Sequence, residues 1–299
     1  MGTYFDCIPC MCRQALDAVR FVTDDEATHE QVLRDLLHAA SEMDLAQSPP
    51  AMGQRIHRWI RQLTGNDDPY KLIKERCNRL ALKLYPELKR KVERSGNALE
   101  TAVRLALAGN VLDSGVNSHL ADSEVKDAIG QSLSAQMDAD VLTEFREALG
   151  EAKDILYLGD NAGEIVFDRL LIEQMPCDKL TFVVRGRPTI NDATMCDAVA
   201  AGLTDLVEVV DNGSDAPGTI LEDCSAAFRK RFDAADLIVA KGQGNYETLS
   251  DVPKDIFFLL KAKCPVIASH LGCEVGSFVL RRRGGAAVAV GGGENVARI

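Results

Sequence analysis

The chain has 299 residues, of which 46% are hydrophobic, and a formal net charge of −11 at pH 7. This length and apolar content are enough for the packed core of one large or two ordinary domains, which excludes a disordered protein. The acidic balance argues against a nucleic-acid or membrane-surface partner, because no overall positive charge attracts a polyanion. No run approaches the ~18 uninterrupted apolar residues of a membrane-spanning helix, and no basic region followed by an apolar core opens the chain, so we expect a cytoplasmic location.

The nine cysteines are odd in number and scattered through both halves, which favours reduced thiols over a disulfide framework. The exception is segment 7–12, which reads Cys-Ile-Pro-Cys-Met-Cys. Two thiols separated by two residues can share a soft metal ion or form a redox pair, but a tetrahedral zinc site needs a second pair, and none follows. Cys77 could supply a fourth sulfur only if the fold brought it near. The alternative is that Cys7, Cys10 and Cys12 are small apolar residues at the start of a helix.

Residues 10 to about 149 carry an almost entirely helical pattern. Apolar residues recur at three-to-four spacing, and no convincing alternating strand interrupts them. Breaks rich in proline, glycine and asparagine separate the helical runs. The predicted helices contain residues 15–22, 29–40, 51–63, 70–84, 98–108 and 124–149. We therefore predict an all-helical N-terminal domain over residues 1–150.

The apolar helix at 98–108 ends in Gly109 and Asn110, and Asp113 follows shortly after. Glycine and asparagine commonly end helices, so the structural interpretation is a C-terminal cap with a turn. The functional interpretation is that Asn110 and Asp113 reach across to an acidic loop that begins at residue 159.

From residue 154 onward, short apolar runs alternate with polar-faced helices. This pattern is typical of a parallel sheet that is covered on both sides. The predicted strands are residues 155–158, 180–184, 206–210, 237–240 and 266–269. We therefore predict an α/β domain over residues 151–299, with a Rossmann-like parallel sheet and helices on both faces. The Gly-rich segment 284–299 contains a short run at 286–290 that indicates an edge strand or a loosely held tail.

Polar, Gly-containing loops follow the predicted strands. In open α/β sheets, ligands bind outside the carboxyl ends of the strands, where helix N-termini also point, so we expect these loops to share one edge. The polar side chains collected there are Asp160, Asn161, Glu164, Asn191, Asp192, Lys241 and Asn245.

Carboxylate and amide oxygens suit Mg²⁺ or Mn²⁺, whereas the lack of histidine and cysteine in these loops disfavours zinc or copper. A cation held by few protein oxygens keeps positions open for water and a phosphate, where it polarises phosphoryl oxygens and helps generate a hydroxide nucleophile. Lys241 would neutralise charge on the transferred group. Gly242 and Gly244 would let backbone N–H groups approach the phosphate. These loops therefore predict hydrolysis of phosphate esters.

Each loop also has a purely structural interpretation. Asp160 and Asn161 could cap the following helix, and Asp192 could cap the next one. Gly242 and Gly244 could form a tight turn. For a single loop the two interpretations are evenly matched, but the recurrence of polar, Gly-spaced residues at successive strand ends favours function for the set.

The loops at 159–164, 185–194 and 241–247, together with segment 108–113, resemble the damage-control metal-dependent phosphatases, a family long described as a domain of unknown function. They read GDNAGE, RGRPTINDAT, KGQGNYE and AGNVLD. The similarity runs in the same order from Cys7 to about Arg283 and leaves the Gly-rich tail unmatched. The Cys7/Cys10 pair is similar to the start of a largely archaeal and bacterial subset.

This resemblance implies a helical N-terminal region packed on an α/β domain, with a divalent metal ion held by Asp160, Asn161 and Asp192. It implies that Lys241 binds the substrate phosphate. It also implies hydrolysis of small phosphorylated metabolites, often sugar phosphates or damaged cofactor precursors, with Mg²⁺, Mn²⁺, Co²⁺ or Ni²⁺. The remaining residues expected to line the substrate site are Asn110, Asp113, Glu164, Asn191 and Asn245.

Rival interpretations stay open. The run 156–163 mimics the first loop of an S-adenosylmethionine-dependent methyltransferase, and a eukaryotic relative in the family has been described as a carboxyl methyltransferase. That chemistry favours more glycine and an acid ending the second strand, where this chain has Arg185. A non-catalytic phosphometabolite-binding module is the other rival. A covalent phosphoaspartyl mechanism needs an acid two residues after its nucleophile, and position 162 is alanine, so we favour attack by metal-activated water.

Overall fold

The computed structural model of the chain describes residues 1–110, 122–135 and 137–283. Helices in these segments precede the first strand, and this confirms the predicted helical N-terminal region. α4 continues past residue 84 and through Pro86, because burial of Leu88 and Val92 offsets the hydrogen bond that the proline cannot make. The helices are α1 (Cys7–Val22), α2 (Glu26–Ser41), α3 (Pro49–Thr64), α4 (Lys71–Glu93), α5 (Ala98–Ala108), α6 (Asp122–Ser134) and α7 (Ala139–Glu151).

A six-stranded sheet follows, with the strand order β3-β2-β1-β4-β5-β6. The first five strands are parallel, and β6 pairs antiparallel with β5. This confirms the predicted α/β fold. The strands are β1 (Ile155–Leu158), β2 (Leu180–Val184), β3 (Glu208–Asp211), β4 (Leu237–Lys241), β5 (Ile256–Lys261) and β6 (Phe278–Arg282). The intervening helices are α8 (Glu164–Ile172), α9 (Met195–Ala200), α10 (Ala226–Ala234), α11 (Gly242–Leu249) and α12 (Pro265–Leu271).

The prediction of a strand at 266–269 is wrong, because those residues lie in α12. Pro265 occupies the first turn of that helix, where a missing N–H costs no internal hydrogen bond. The fifth parallel strand is β5, whose uninterrupted apolar run does not alternate and so resembles a short buried helix as much as a strand. β6 was not predicted, β3 starts at Glu208 instead of 206, and the predicted run at 286–290 lies outside the described residues.

Side chains alternate along the strands, so the sheet has two separate cores. Ile155 and Tyr157 face a cluster shared with α4, α5, α7, α8 and α9. Leu156 and Leu158 face a second cluster with α10, α11 and α12. Helices therefore cover both faces, as a parallel sheet requires. A third cluster joins α1, α2 and α3. Since α4 to α7 share the first core with the sheet, the division into domains at residue 150 stays a prediction.

α3 packs over the carboxyl edge of the sheet. Arg58 donates to Asp215 in the loop after β3, and Arg61 of the same helix also pairs with that carboxylate. Gln54 donates to Asp215 at 2.7 Å as well. These contacts hold the helix against the strand-end loops, so the helical region forms one wall of any site there. Across the described segments, we find no helix long and apolar enough to cross a membrane.

Candidate active site

The loops after β1 and β2 are joined by backbone hydrogen bonds. Ala162 donates to the Asn191 carbonyl at 2.9 Å, and Ala193 donates to the Asp160 carbonyl at 2.8 Å. Asn161 and Asp192 form an isolated antiparallel bridge. Because β1 and β2 are adjacent and parallel, their carboxyl ends meet at one edge, and the structure brings the three predicted metal ligands together there.

The site depends on close approach of the α11 N-terminus to Asp160. Gly242, the first residue of α11, has φ +80, a conformation that L side chains rarely adopt. A Cβ built on this glycine would lie 2.8 Å from Asp160 Oδ1 and nearer still to the rest of the carboxylate. Glycine is therefore required at position 242 for the carboxylate to sit against the start of the helix.

Negative charge is crowded at this edge. Burial, and then the neighbouring charges of Asp192 and Glu164, raise the pKa of Asp160 well above its usual range. Arg185 supplies a counter-charge, because its Nε donates to Asp192 Oδ2 at 2.6 Å and its Nη2 lies 3.8 Å from Asp160 Oδ1. A cation among these carboxylates would favour their ionised forms in the same way.

Glu164 is the first residue of α8 and is fully buried. Its Oε1 accepts from Asn110 at 2.8 Å, and its Oε2 accepts from Asn161 Nδ2 at 3.1 Å. Asn161 Nδ2 also donates to Asp160 Oδ2 at 2.9 Å. Asn110 and Glu164 thus connect the end of α5 to the predicted metal ligands, as the sequence suggested. Asp113 lies outside the described residues.

Lys241 ends β4 and is fully buried. Its ammonium donates to the Ala106 carbonyl at 2.9 Å, to Glu164 Oε1 at 2.6 Å and to Asp168 Oδ1 at 2.5 Å. Burial alone would lower the pKa of Lys241, but the two carboxylates more than offset this and raise it. All three protons are therefore donated within the protein, and the phosphate contact implied for Lys241 stays a prediction.

Asn245 lies in α11 with no exposed surface. Its amide nitrogen donates to the Gly159 carbonyl at 3.3 Å and to the Lys241 carbonyl at 2.7 Å. Its Oδ1 accepts from Thr219 at 2.8 Å and from Arg185 at 3.4 Å. These contacts tie the ends of β1, β2 and β4 together, so the structure gives Asn245 a supporting position behind the site.

A cavity of about 480 Å³ opens against the three predicted metal ligands. α1 and α3 form its opposite wall. Ile190, which lies between the two walls, adopts a positive φ of 42, a strained backbone conformation for a β-branched residue. The polar and thiol-bearing residues that line the cavity are Asp6, Cys7, Cys10, Gln14, His57, Asp160, Asn161, Asn191, Asp192, Gln243, Glu247, Lys263 and Cys264.

The structure assigns different partners to the cysteines than the sequence suggested. Cys7 and Cys10 line the cavity together with Cys264, whereas Cys77 is buried beside Gly163. Gln243 in α11 connects this helix to the segment after β5, because its Nε2 donates to Cys264 Sγ at 3.8 Å. The same nitrogen donates to Glu247 Oε1, within α11, at 2.8 Å.

Burial shifts three ionisable groups of the cavity lining toward their neutral forms. Burial raises the pKa of Glu247 to about 7 and raises the pKa of the Cys10 thiol. Burial lowers the pKa of His57 to about 4.

Several residues of the site were missed from the sequence. Arg185 is not among the predicted site residues, although an arginine ending a strand beside an acidic loop is a usable signal of a buried ion pair. Glu247 and His57 carried no such signal, because neither their burial nor their position in the cavity wall follows from the local pattern.

The donor set fits a hard divalent cation. Asp160, Asn161 and Asp192 offer carboxylate and amide oxygens, which Mg²⁺ and Mn²⁺ prefer. The amide nitrogen of Asn161 makes the contacts to the Asp160 and Glu164 carboxylates, so Oδ1 is the end of the amide that could bind a cation. Within the same segments, no group of three His, Cys, Asp or Glu side chains is arranged to hold a metal ion. With only these three proposed side-chain ligands, a cation here would keep positions for water or substrate oxygens.

Comparison with known proteins gives a consistent result. A sequence model described as the Damage-control phosphatase ARMT1-like domain matches residues 3–279. A protein named damage-control phosphatase, from Archaeoglobus fulgidus, is 38% identical over 281 residues, which cover 92% of this chain and 97% of the relative. Another of that name, from Pyrococcus horikoshii, is 35% identical over 289 residues, with 94% and 98% covered. A crystal structure of a DUF89 family protein from Pyrococcus horikoshii has a TM-score of 0.85 at 33% identity and covers 95% of this chain and 99% of that one.

Proposed function

The chain belongs to the damage-control phosphatases of the ARMT1-like domain family, and from this membership we propose that it hydrolyses small phosphorylated metabolites with a divalent cation. The observation that carries the proposal is the convergence of Asp160, Asn161 and Asp192 at one wall of a cavity of about 480 Å³. Such a volume suits a small metabolite.

We propose that Asp160, Asn161 and Asp192 hold Mg²⁺, Mn²⁺, Co²⁺ or Ni²⁺. When bound, the cation would supply Lewis-acid polarisation of the phosphoryl oxygens and of the attacking water. Arg185 holds Asp192 in place by its 2.6 Å hydrogen bond, and Gly242 lets Asp160 lie against the start of α11. The site is thereby fixed before any ligand enters, which is the condition for electrostatic catalysis.

The substrate phosphate would lie at the N-terminus of α11. Gln243 and Gly244 are in the first turn of this helix and line the cavity, where backbone N–H groups and the helix dipole favour an anion. Lys263 adds a positive charge to the same wall. The rest of the substrate would extend toward α1 and α3, so we propose that these helices determine which phosphate ester fits.

Phosphate release from a panel of sugar phosphates and a generic aryl phosphate tests this proposal with each of the four cations. We expect release by the wild-type protein and loss of at least 100-fold in kcat/KM for Asp160→Ala and Asp192→Ala. Asp205→Ala is the matched control, because Asp205 is exposed and lies outside the cavity lining. Equal activity of all the variants would contradict the proposed site.

The same experiment separates the rival functions. Saturable binding of a phosphate ester without any release would favour a non-catalytic binding module. Calorimetry with S-adenosylmethionine tests the methyltransferase alternative. We expect no binding, because Arg185 at the end of β2 is hydrogen-bonded to Asp192 where a nucleotide-binding fold needs a free acid.

A further inference from the structure

We infer that Glu164 and Lys241 are positioning residues that orient the side-chain amide of Asn161 toward the cation. This inference rests on the proposed function, since it takes Asn161 as a metal ligand. It gives Lys241 a task other than the phosphate contact that the resemblance implied, and it gives Glu164 a task other than substrate binding.

The orientation of an amide matters for a cation. A metal ion binds the carbonyl oxygen of asparagine and is repelled by the amide hydrogens, yet the two ends have almost the same shape. A half-turn of the Asn161 amide would therefore replace a ligand with a repulsive group. Something in the surrounding protein must favour one of the two orientations before the ion arrives.

Two carboxylates favour one orientation here. Asn161 Nδ2 donates to Asp160 Oδ2 at 2.9 Å and to Glu164 Oε2 at 3.1 Å. The Glu164 carboxylate is paired with the Lys241 ammonium and only accepts hydrogen bonds, so its contact with Asn161 does not survive a half-turn of the amide. Asp160 is itself a proposed ligand and would share its charge with the cation. Glu164 remains as the acceptor dedicated to the amide.

Glu164 is fixed by donors on its other oxygen. Its Oε1 accepts from Lys241 Nζ at 2.6 Å and from Asn110 Nδ2 at 2.8 Å. Both Glu164 and Lys241 are fully buried, so no solvent competes for these contacts. Lys241 is held in turn by the Ala106 carbonyl and by Asp168, which also accepts from Tyr157 at 3.0 Å. Asp168 and Ala106 thus keep the ammonium in the core, whereas Glu164 is the residue of this group that contacts the amide.

A purely structural role would predict a different result from a positioning role. If this network only stabilises the fold, weakening it lowers the unfolding temperature and leaves the affinity of the folded protein for the cation unchanged. If it orients Asn161, a change at Glu164 weakens cation binding in protein that is still folded. Lys241→Met is not a suitable test, because it leaves two buried carboxylates without a counter-charge and is expected to unfold the protein.

Calorimetric titration of the substrate-free protein with Mn²⁺ makes the distinction. Glu164→Gln keeps the shape but turns one acceptor into a donor, so it opposes either Asn161 or the Lys241 and Asn110 donors. We expect a Kd that is about 10- to 100-fold weaker, the usual effect of losing a group that orients a ligand. Asp168→Asn is the matched control, because Lys241 still donates to Glu164. We expect it to lower the unfolding temperature and to change the Kd by less than about threefold.

A second variant checks the direction of the hydrogen bond. Asn161→Asp combined with Glu164→Gln restores a donor facing an acceptor, now with the donor on residue 164. We expect Asn161→Asp to tighten Mn²⁺ binding at least about tenfold more in the Glu164→Gln background than in the wild-type protein. An equal effect in both backgrounds, or an unchanged Kd in folded Glu164→Gln, would overturn the inference. Failure of the wild-type protein to bind Mn²⁺ would instead contradict the proposed function itself.

Discussion

Replacing Gly242 with alanine should separate two consequences of a single methyl group. Gly242 has φ +80, and an L residue in a left-handed conformation costs about 1–2 kcal/mol. Gly65 at the end of α3 has φ +65, so Gly65→Ala has the same type of backbone cost. Nothing lies within 4 Å of a Cβ built on Gly65, whereas one built on Gly242 overlaps the Asp160 carboxylate. The two variants therefore carry the same type of backbone strain, and only Gly242→Ala also disturbs the Asp160 carboxylate.

The size of the effect follows from the overlap. The new Cβ of Gly242→Ala would lie 2.8 Å from Asp160 Oδ1 and closer to the other carboxylate atoms. Unstrained contacts of this kind need roughly 3.5 Å, so the carboxylate must retreat by roughly an ångström. A displacement of that size at a catalytic group typically costs about 100-fold in rate. We expect kcat/KM to fall by about that factor, together with weaker Mn²⁺ binding.

Urea unfolding, Mn²⁺ calorimetry and phosphate release measure the three consequences for both variants. Gly65→Ala should lose about 1 kcal/mol of unfolding free energy and keep wild-type cation affinity and turnover. Gly242→Ala should lose at least as much unfolding free energy, and its Mn²⁺ affinity and its turnover should both fall. Wild-type Mn²⁺ affinity in folded Gly242→Ala would refute the reasoning, because it would mean that Asp160 is not held against the start of α11 when the ion binds.

Two further predictions concern the cavity wall that α1 and α3 form, and a third concerns Arg185 beside the metal ligands. Because the pKa of His57 is about 4 in the folded protein and 6.5 when unfolded, its neutral ring stabilises the fold above pH 6.5, and up to about 3 kcal/mol is lost as the pH falls from 6.5 to 4. In urea unfolding across this pH range, the free energy of unfolding of His57→Gln should fall less steeply than that of the wild-type protein. Iodoacetamide should alkylate Cys10, narrow the cavity and thereby lower kcat/KM. The Cys10→Ser variant should keep its kcat/KM after this treatment. The Cys196→Ser variant, whose substitution lies outside the cavity lining, should lose activity as the wild-type protein does. Burial raises the pKa of the Cys10 thiol, so alkylation should accelerate mainly above pH 9. Arg185→Met should leave Asp192 without its 2.6 Å partner and weaken Mn²⁺ binding about 10-fold or more, measured by calorimetry.

The parts of the fold that could be predicted from the sequence are those fixed by local pattern. β1 and β2 have the predicted bounds, because each is a short apolar run that ends abruptly at polar or glycine residues. Their parallel pairing brings the loops after β1 and β2 to one edge, and backbone hydrogen bonds between these loops then bring residues 160 and 192 together. α12 could not be separated from a strand, because a run of four apolar or small residues fits both periods. Its identity depends on Pro265 and on β5 already filling the adjacent sheet position.

Contacts between distant segments account for much of what the sequence did not predict. Cys264 meets Cys7 and Cys10 in the cavity wall because α1 lies across the edge where β5 ends. No spacing rule connects residues so far apart, so the sequence pattern gives no reason to prefer Cys264 to Cys77 as a further sulfur. The same reasoning applies to Glu247, which lies on α11 where that helix packs against α3, and to His57, whose ring packs against Tyr70.

The direction in which the Lys241 side chain points follows in part from the strand pattern alone. Alternation along β4 places Leu237 and Val239 on the face covered by α5 and α8, so Lys241, two residues further, points to the same face. There it meets Glu164 and Asp168, which lie four residues apart on one side of α8. The two-residue period thus directs the Lys241 ammonium to the face of the sheet that α5 and α8 cover. The Lys241 ammonium therefore lies between the Glu164 and Asp168 carboxylates, and the phosphate contact implied for it stays a prediction.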